Sequence, residues 1–176
     1  FCEEIGVSKA NSTVDVSLLE HCVRDDLKEK VETRNVVFDP IKVVITNYPE
    51  GQSELCEVEN NPAVPEMGVR DIPFSREIWV DGEDFMEVPA KKYFRLFPGN
   101  EVRLKGAYFI TCQEAVKNED GSIKELHCTY DPETKSGSGF EGRKVKGTIH
   151  FVDAATAVPI KIRQFDYLMS EGEDGK

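Results

Sequence analysis

The 176 residues carry 33 acidic against 22 basic side chains, a net charge of −11, and 39% hydrophobic content. Such a chain can bury one sizeable core, and its acidity excludes diffuse coating of nucleic acid while leaving room for a local basic patch. No apolar run approaches the ~20 residues needed to cross a bilayer, and FCEEIGVSK has neither region of a signal peptide.

The chain opens without Met inside a helical pattern, so a fragment of something longer is expected. Residues 1–34 read as helical, with Gly6 just past the end of a first helix, residues 11–13 as N-cap candidates for a second, and Asp15 placed to favour that helix's N-terminus. There Val16, Leu19, Val23, Leu27 and Val31 recur at helical spacing. At Asp39-Pro40 the period changes to two: Ile41, Val43 and Ile45 predict a strand, and residues 54–58 are a possible return strand. The proline-rich stretch 59–73 reads as a surface loop, and 74–80 as another strand. Residues 118–122 predict a hairpin turn with 123–130 as its return strand. A polar loop follows, then one more alternating strand over 143–152. Strands joined by turns, with no interleaved helices, predict an antiparallel β-barrel or sandwich.

The most informative stretch is KKYFRLFPGNEVRLKGAYFITC, residues 91–112. From Val102 it alternates strictly to Cys112, which predicts one long half-buried strand. Lys91, Lys92, Arg95, Arg103 and Lys105 crowd here against a single acid, Glu101. Tyr93 and Phe94 beside Arg95 supply flat surfaces and forked donors, the chemistry that splayed single-stranded bases require. A second basic group, Arg143, Lys144 and Lys146, opens the last alternating stretch.

Other motifs carry less. Gly137-Ser138-Gly139-Phe140-Glu141-Gly142 matches G-x-G-x-x-G, but no strand precedes it and no helix is expected after it, so it reads as a loop. His21, His127 and His150 lack metal-ligand spacing or a nearby nucleophile motif, and structural or surface roles are expected. The five cysteines are widely spaced with no C-x-x-C pair, against both a disulfide framework and a zinc site and for a reducing compartment. Cys112 and Cys128 fall on apolar-face positions and are expected in the core.

The strings DPIKVVITNYPEG, NNPAVPEMGVRDIPFSREIWV, KKYFRLFPGNEVRLKGAYFI, HCTYDPETKSG and RKVKGTIHFVDAATAVP together resemble the anticodon-binding region of glutaminyl-tRNA synthetases. FCEEIGVSK and the helix after it resemble the helical connector that precedes that region. Glutamyl-tRNA synthetases of the archaeal and eukaryotic kind share the architecture and match less well. The resemblance implies a mainly β fold: a helical connector over 1–34 and an antiparallel, ribosomal-protein-like proximal anticodon-binding β-barrel over 35–170, with the start of a distal barrel near its C-terminal end. The polar EGEDGK, 171–176, is expected to be a disordered tail. The resemblance also implies a tRNA partner, the anticodon loop of a glutamine acceptor, with no DNA or membrane partner, and a cytoplasmic, monomeric protein. The parent would ligate glutamine to tRNA using ATP. The fragment would hold no catalytic residue, cofactor or metal, ATP belonging to an absent Rossmann domain.

By the same resemblance Arg95 stands where the family reads the third anticodon base. Lys105 stands where an arginine near the first base is frequent, Arg103 matches a neighbouring family arginine, and Lys92 replaces a glutamine. Thr33, with Arg34 beside it, falls where a basic residue meets the central base, and Ala63 falls where an asparagine can lie close to RNA. Phe151 and Asp153 stand where tryptophan and serine are usual. Arg95, Lys105, Arg103 and Lys92 are the expected RNA contacts, joined by Arg34 and Lys28. A non-RNA interaction barrel and, more remotely, a free-standing enzyme are the alternatives.

Overall fold

The computed structural model describes residues 1–9 and 13–164. The expected tail over 171–176, and Asn11 and Ser12 as caps, lie outside the described residues. Two helices, α1 (Cys2–Ile5) and α2 (Val16–Lys28), precede nine strands: β1 (Ile41–Ile45), β2 (Ser53–Glu59), β3 (Val69–Ser75), β4 (Glu77–Val80), β5 (Glu101–Leu104), β6 (Phe109–Lys117), β7 (Ile123–Asp131), β8 (Thr148–Ile149) and β9 (Val152–Asp153). The mainly β expectation holds.

Asp15 caps α2, its side chain accepting from Ser17 N at 2.8 Å. The helix ends one turn before Val31, and its apolar residues Leu19, Val23 and Leu27 stay exposed. It meets the rest of the chain through Asn61, whose side-chain amide donates to Lys28 O and Val31 O at 2.8 and 2.9 Å.

Seven strands form one sheet in the order β8-β5-β6-β7-β1-β4-β9. The β1–β4, β4–β9, β5–β6 and β6–β7 pairings are antiparallel, whereas β1–β7 and β5–β8 run parallel. The two edge strands, β8 and β9, are separated in sequence only by His150 and Phe151. Three peptide steps reach at most about 11 Å, so the two edges must come together and the sheet must curl into a barrel. Phe151 drops from this seam into the core, 1% exposed and edge-to-face on Phe74 at 5.6 Å. Tyr48, Phe74, Tyr108 and Tyr130 continue the aromatic cluster, with centroids 5.0–6.3 Å apart.

Three local expectations are corrected. The run 102–112 is a hairpin, β5 and β6 joined through 105–108, where Gly106 has φ +81° and a β-carbon would strike Val58. Residues 91–98 form no strand, only an isolated bridge from Leu96 to Phe85. The loop expected over 59–73 contains β3, which pairs with β2 in a separate two-stranded sheet. The strand expected over 143–152 is reduced to β8 and the start of β9. The hairpin turn at 118–122 forms as expected, Asn118 N donating to Ser122 O at 2.9 Å.

Glu54 on β2 ties the small sheet to the barrel. Its carboxylate accepts from Tyr48 OH at 3.1 Å, Tyr108 OH at 2.8 Å and Lys135 Nζ at 2.5 Å. Burial opposes the charged form, but the bonds from Lys135, Tyr108 and Tyr48 outweigh it and hold Glu54 below its ordinary value of 4.5. Burial pushes the neighbouring Cys56 thiol up to about 11. At the seam, Asp153 is buried and accepts from Ser75 Oγ, Thr156 N and Thr156 Oγ1, which pins β9 against β3.

Two predictions follow from these contacts. A β-carbon at Gly147 would overlap Phe94 O, so Gly147→Ala should lower stability by about 1–3 kcal/mol in urea unfolding. A carboxylate depressed in the folded state adds stability above its unfolded value and loses it as pH falls through the folded one. Glu54→Gln should therefore cost about 1–2 kcal/mol at pH 7, and its deficit should shrink steadily in urea titrations below pH 4.5.

Candidate nucleic-acid interface

Two grooves flank the seam. The larger, about 1230 Å³, is walled by residues 35–40, Trp79, Asp84, Arg95, His150 and part of 152–164. The smaller, about 430 Å³, is walled by Thr33, Arg34, Lys105, Thr148 and Ile149. Asn35, Val36, Phe38 and His150 line both, so the two grooves adjoin along these residues.

The segment before β1 is fixed by bonds to the seam and to the 81–82 turn. Asn35 Nδ2 donates to Phe151 O at 3.3 Å, and His150 Nε2 donates to Val36 O at 2.6 Å. Phe38 N donates to Asp81 Oδ2 at 2.9 Å, and Phe38 O accepts from Gly82 N at 3.2 Å. Asp39 takes φ +42° to enter the strand. Phe38 is thereby held through its backbone while the residue stays 53% exposed, an aromatic face between the two grooves.

Arg95 reaches the larger groove because Leu96 beside it is fully buried and hydrogen-bonded to Asp84 O through its N–H at 2.9 Å. Asn100 Nδ2 holds Arg95 O at 2.7 Å. The guanidinium pairs with Asp84, whose side chain is 3% exposed while that of Arg95 is 52% exposed. Burial raises the Asp84 pKa and prevails over the lowering by Arg95. One carboxylate cannot occupy five N–H donors, so the exposed side of Arg95 keeps donors for a second acceptor. Phe94, also half-exposed, has Lys146 Nζ 5.2 Å from its ring centroid.

The other expected residues divide between groove and outer surface. Lys105 and Arg34 line the smaller groove, Arg34 being paired with Glu32. Thr33 faces the same groove, its N–H and hydroxyl both bonded to Asn60 O. Arg103 stands outside it, over the Phe109 ring at 4.8 Å, with Arg143 at 5.4 Å from the same ring. Arg143 is committed to Glu101 and Asp131. Lys92, at φ +70°, and Lys28, on the last turn of α2, are exposed and line neither groove. Phe38, His150 and Asp84 complete the site without having been expected there. The only sequence signal for Phe38 was an aromatic residue standing immediately before the Asp39-Pro40 break.

No competing chemistry gathers among the described residues. Phe140 of the glycine-rich loop packs on Phe109 at 5.8 Å, and no helix follows it. His127 lies between Glu114 and Glu125, each 3.0 Å away; the Glu125 bond is the larger cause of its raised pKa. No cluster of metal-ligating side chains occurs, and no helix is long and apolar enough to cross a membrane, among the described residues.

Comparison with known families places this barrel. Residues 34–131 match the family described as tRNA synthetases class I (E and Q), anti-codon binding domain. The chain belongs to this family. It is 58% identical over its whole length to a glutamine--tRNA ligase of Clostridium perfringens, covering 32% of that protein. It is 55% identical to one of Nitrobacter winogradskyi, over 96% of this chain and 30% of that protein. It is 46% identical to one of Nitrosomonas europaea, over the whole chain and 33% of that protein. The chain thus spans about a third of the length of these relatives.

The Arg95–Asp84 geometry yields a prediction. Arg95→Ala strands a buried carboxylate and should cost about 1–3 kcal/mol in urea unfolding. Adding Asp84→Asn should recover part of that loss, a non-additivity readable in a double-mutant cycle.

Proposed function

We propose that this chain reads the anticodon loop of a glutamine-accepting tRNA for a glutamine–tRNA ligase. The parent would be a cytoplasmic monomer whose catalytic half uses ATP to join glutamine to tRNA. This chain would contribute recognition and no bond-making step. The observation that carries the reading is the placement of Arg34, Lys105 and Arg95, with Phe38 between them, on the adjoining grooves at the barrel seam. The family membership and the names of the relatives support the choice of ligand.

In this reading unpaired anticodon bases splay into the grooves. Arg95, oriented by Asp84, offers its free N–H fork to a base edge. Lys105 and Arg34 neutralise phosphates or meet base edges in the smaller groove. Phe38 stacks on a base face, which any base can use, so it adds affinity and little discrimination. Arg103, Lys92 and Lys28 would act from outside the grooves on flanking phosphates. The net charge of −11 keeps the rest of the surface from competing for RNA.

The test is binding of an anticodon stem-loop RNA of the glutamine tRNA, beside one altered only in the three anticodon bases, at two salt concentrations. Phe38→Ala should weaken both RNAs by about 5- to 100-fold. Lys105→Ala should lower the salt slope by ~0.7 if it holds a phosphate. The Arg95→Ala, Asp84→Asn double variant should lose discrimination between the two RNAs. Equal, salt-independent binding of both RNAs by the unaltered chain would overturn the proposal in favour of a protein-interaction barrel.

A further inference from the structure

Cys112 on β6 and Cys128 on β7 stand directly opposite each other in the antiparallel register. Their backbone bonds identify the type of pair. Cys112 N donates to Asn100 O at 3.1 Å and Cys112 O accepts from Gly99 N at 2.8 Å, so both groups face the β5 side. Cys128 O accepts from Thr46 N at 2.8 Å, toward the end of β1. In an extended strand one residue's N–H and C=O point to the same side, so neither cysteine bonds the other's backbone. Cys112 and Cys128 are therefore a non-hydrogen-bonded pair, the type in which Cα atoms approach to about 4.5 Å and side chains lie closest. That separation falls within the roughly 4.4–6.8 Å span of disulfides.

Side-chain placement agrees. Both residues are fully buried on the inner face of the barrel, and both thiols are free. The Cys112 thiol donates to Glu114 O at 3.8 Å; interaction with the facing thiol pulls Cys112 down and, together with burial, drives Cys128 well up. The ladder slips by one residue immediately after Cys112, leaving Gln113 outside the pairing and interrupting the ladder beside the two cysteines. Cys56, the other buried cysteine, lies on β2 in the separate sheet, and Cys2 and Cys22 are on the helices.

We propose that Cys112 and Cys128 form a reversible cross-strand disulfide when the protein meets a peroxide, making the barrel core a redox-modification site independent of the RNA-reading role. The Cys112 thiolate attacks one peroxide oxygen, the O–O bond breaks, and sulfenic acid and hydroxide form. The Cys128 sulfur then attacks the sulfenic sulfur, the S–O bond breaks, and the thiol proton leaves with the oxygen as water. The net change is two thiols and one hydrogen peroxide to one disulfide and two waters. A small oxidant reaches the pair when β6 opens locally at the slipped register.

The native chain is treated with hydrogen peroxide, alkylated, digested with trypsin without reductant and weighed. The expected product joins residues 106–117 to 125–135 with the loss of two hydrogens, and dithiothreitol reverses it. Oxidation should raise the melting temperature by about 5 °C or more. The same link should form in a Cys2→Ser, Cys22→Ser variant, while Cys112→Ser should abolish both link and rise. Stable sulfinic or sulfonic acid at either position, a link to Cys56 instead, or a 112–128 link only after unfolding in urea would overturn the proposal.

Discussion

Everything in this barrel depends on the short crossing at His150 and Phe151. Two residues carry the chain from one edge of a seven-stranded sheet to the other, so the sheet has to close on itself. Phe151 turns that geometric necessity into packing by filling the core beneath the crossing, against Phe74. His150 points the opposite way and bonds the segment that enters β1. The grooves lie at this place because the seam joins edges through side chains and single bonds, leaving space that a continuous ladder would fill.

The charges at the site follow from the same arrangement. Arg95 is held by a carboxylate it does not saturate, so the cation is oriented without being neutralised toward the groove. Burial on the Asp84 side and exposure on the Arg95 side give the pair a direction. Arg143 is the contrasting case: two carboxylates claim it, and its role is to bind Glu101 on β5 to Asp131 at the end of β7. An acidic protein can in this way display positive charge in one place, since screening over about 8 Å in physiological salt separates the groove from distant acids.

Residues with local signals were readable in the sequence. Strand β1, the hairpin at 118–122 and α2 each rest on periodicity or turn chemistry within a few positions, although the cap of α2 is Asp15 and not a residue of 11–13. The β5–β6 hairpin was hidden because Val102 pairs with Ile110 and both point inward, so the inward residues on both strands keep one parity and alternation runs through the turn unbroken. Strand β3 was hidden by Pro73, tolerated because it lies in a two-stranded ribbon, where a strand has an unpaired side. The basic residues of the site were legible as a cluster in 91–105, but the groove was not. Its walls come from 33–40, from Arg95 and Lys105, and from 148–164. Asp84, which orients Arg95 from eleven residues away, carries no local mark of that task.

The seam also has a consequence in time. Strands β4 and β5 find their outer partners only in β9 and β8, so residues near 80 and 104 wait for residues near 150. Such distant pairings raise contact order and slow folding. On a ribosome adding 5–20 residues per second, the backbone edge of β4 would stand unpaired for about 4–15 s before β9 is even synthesised. During that interval the nascent chain is most exposed to mispairing with its neighbours on the same message.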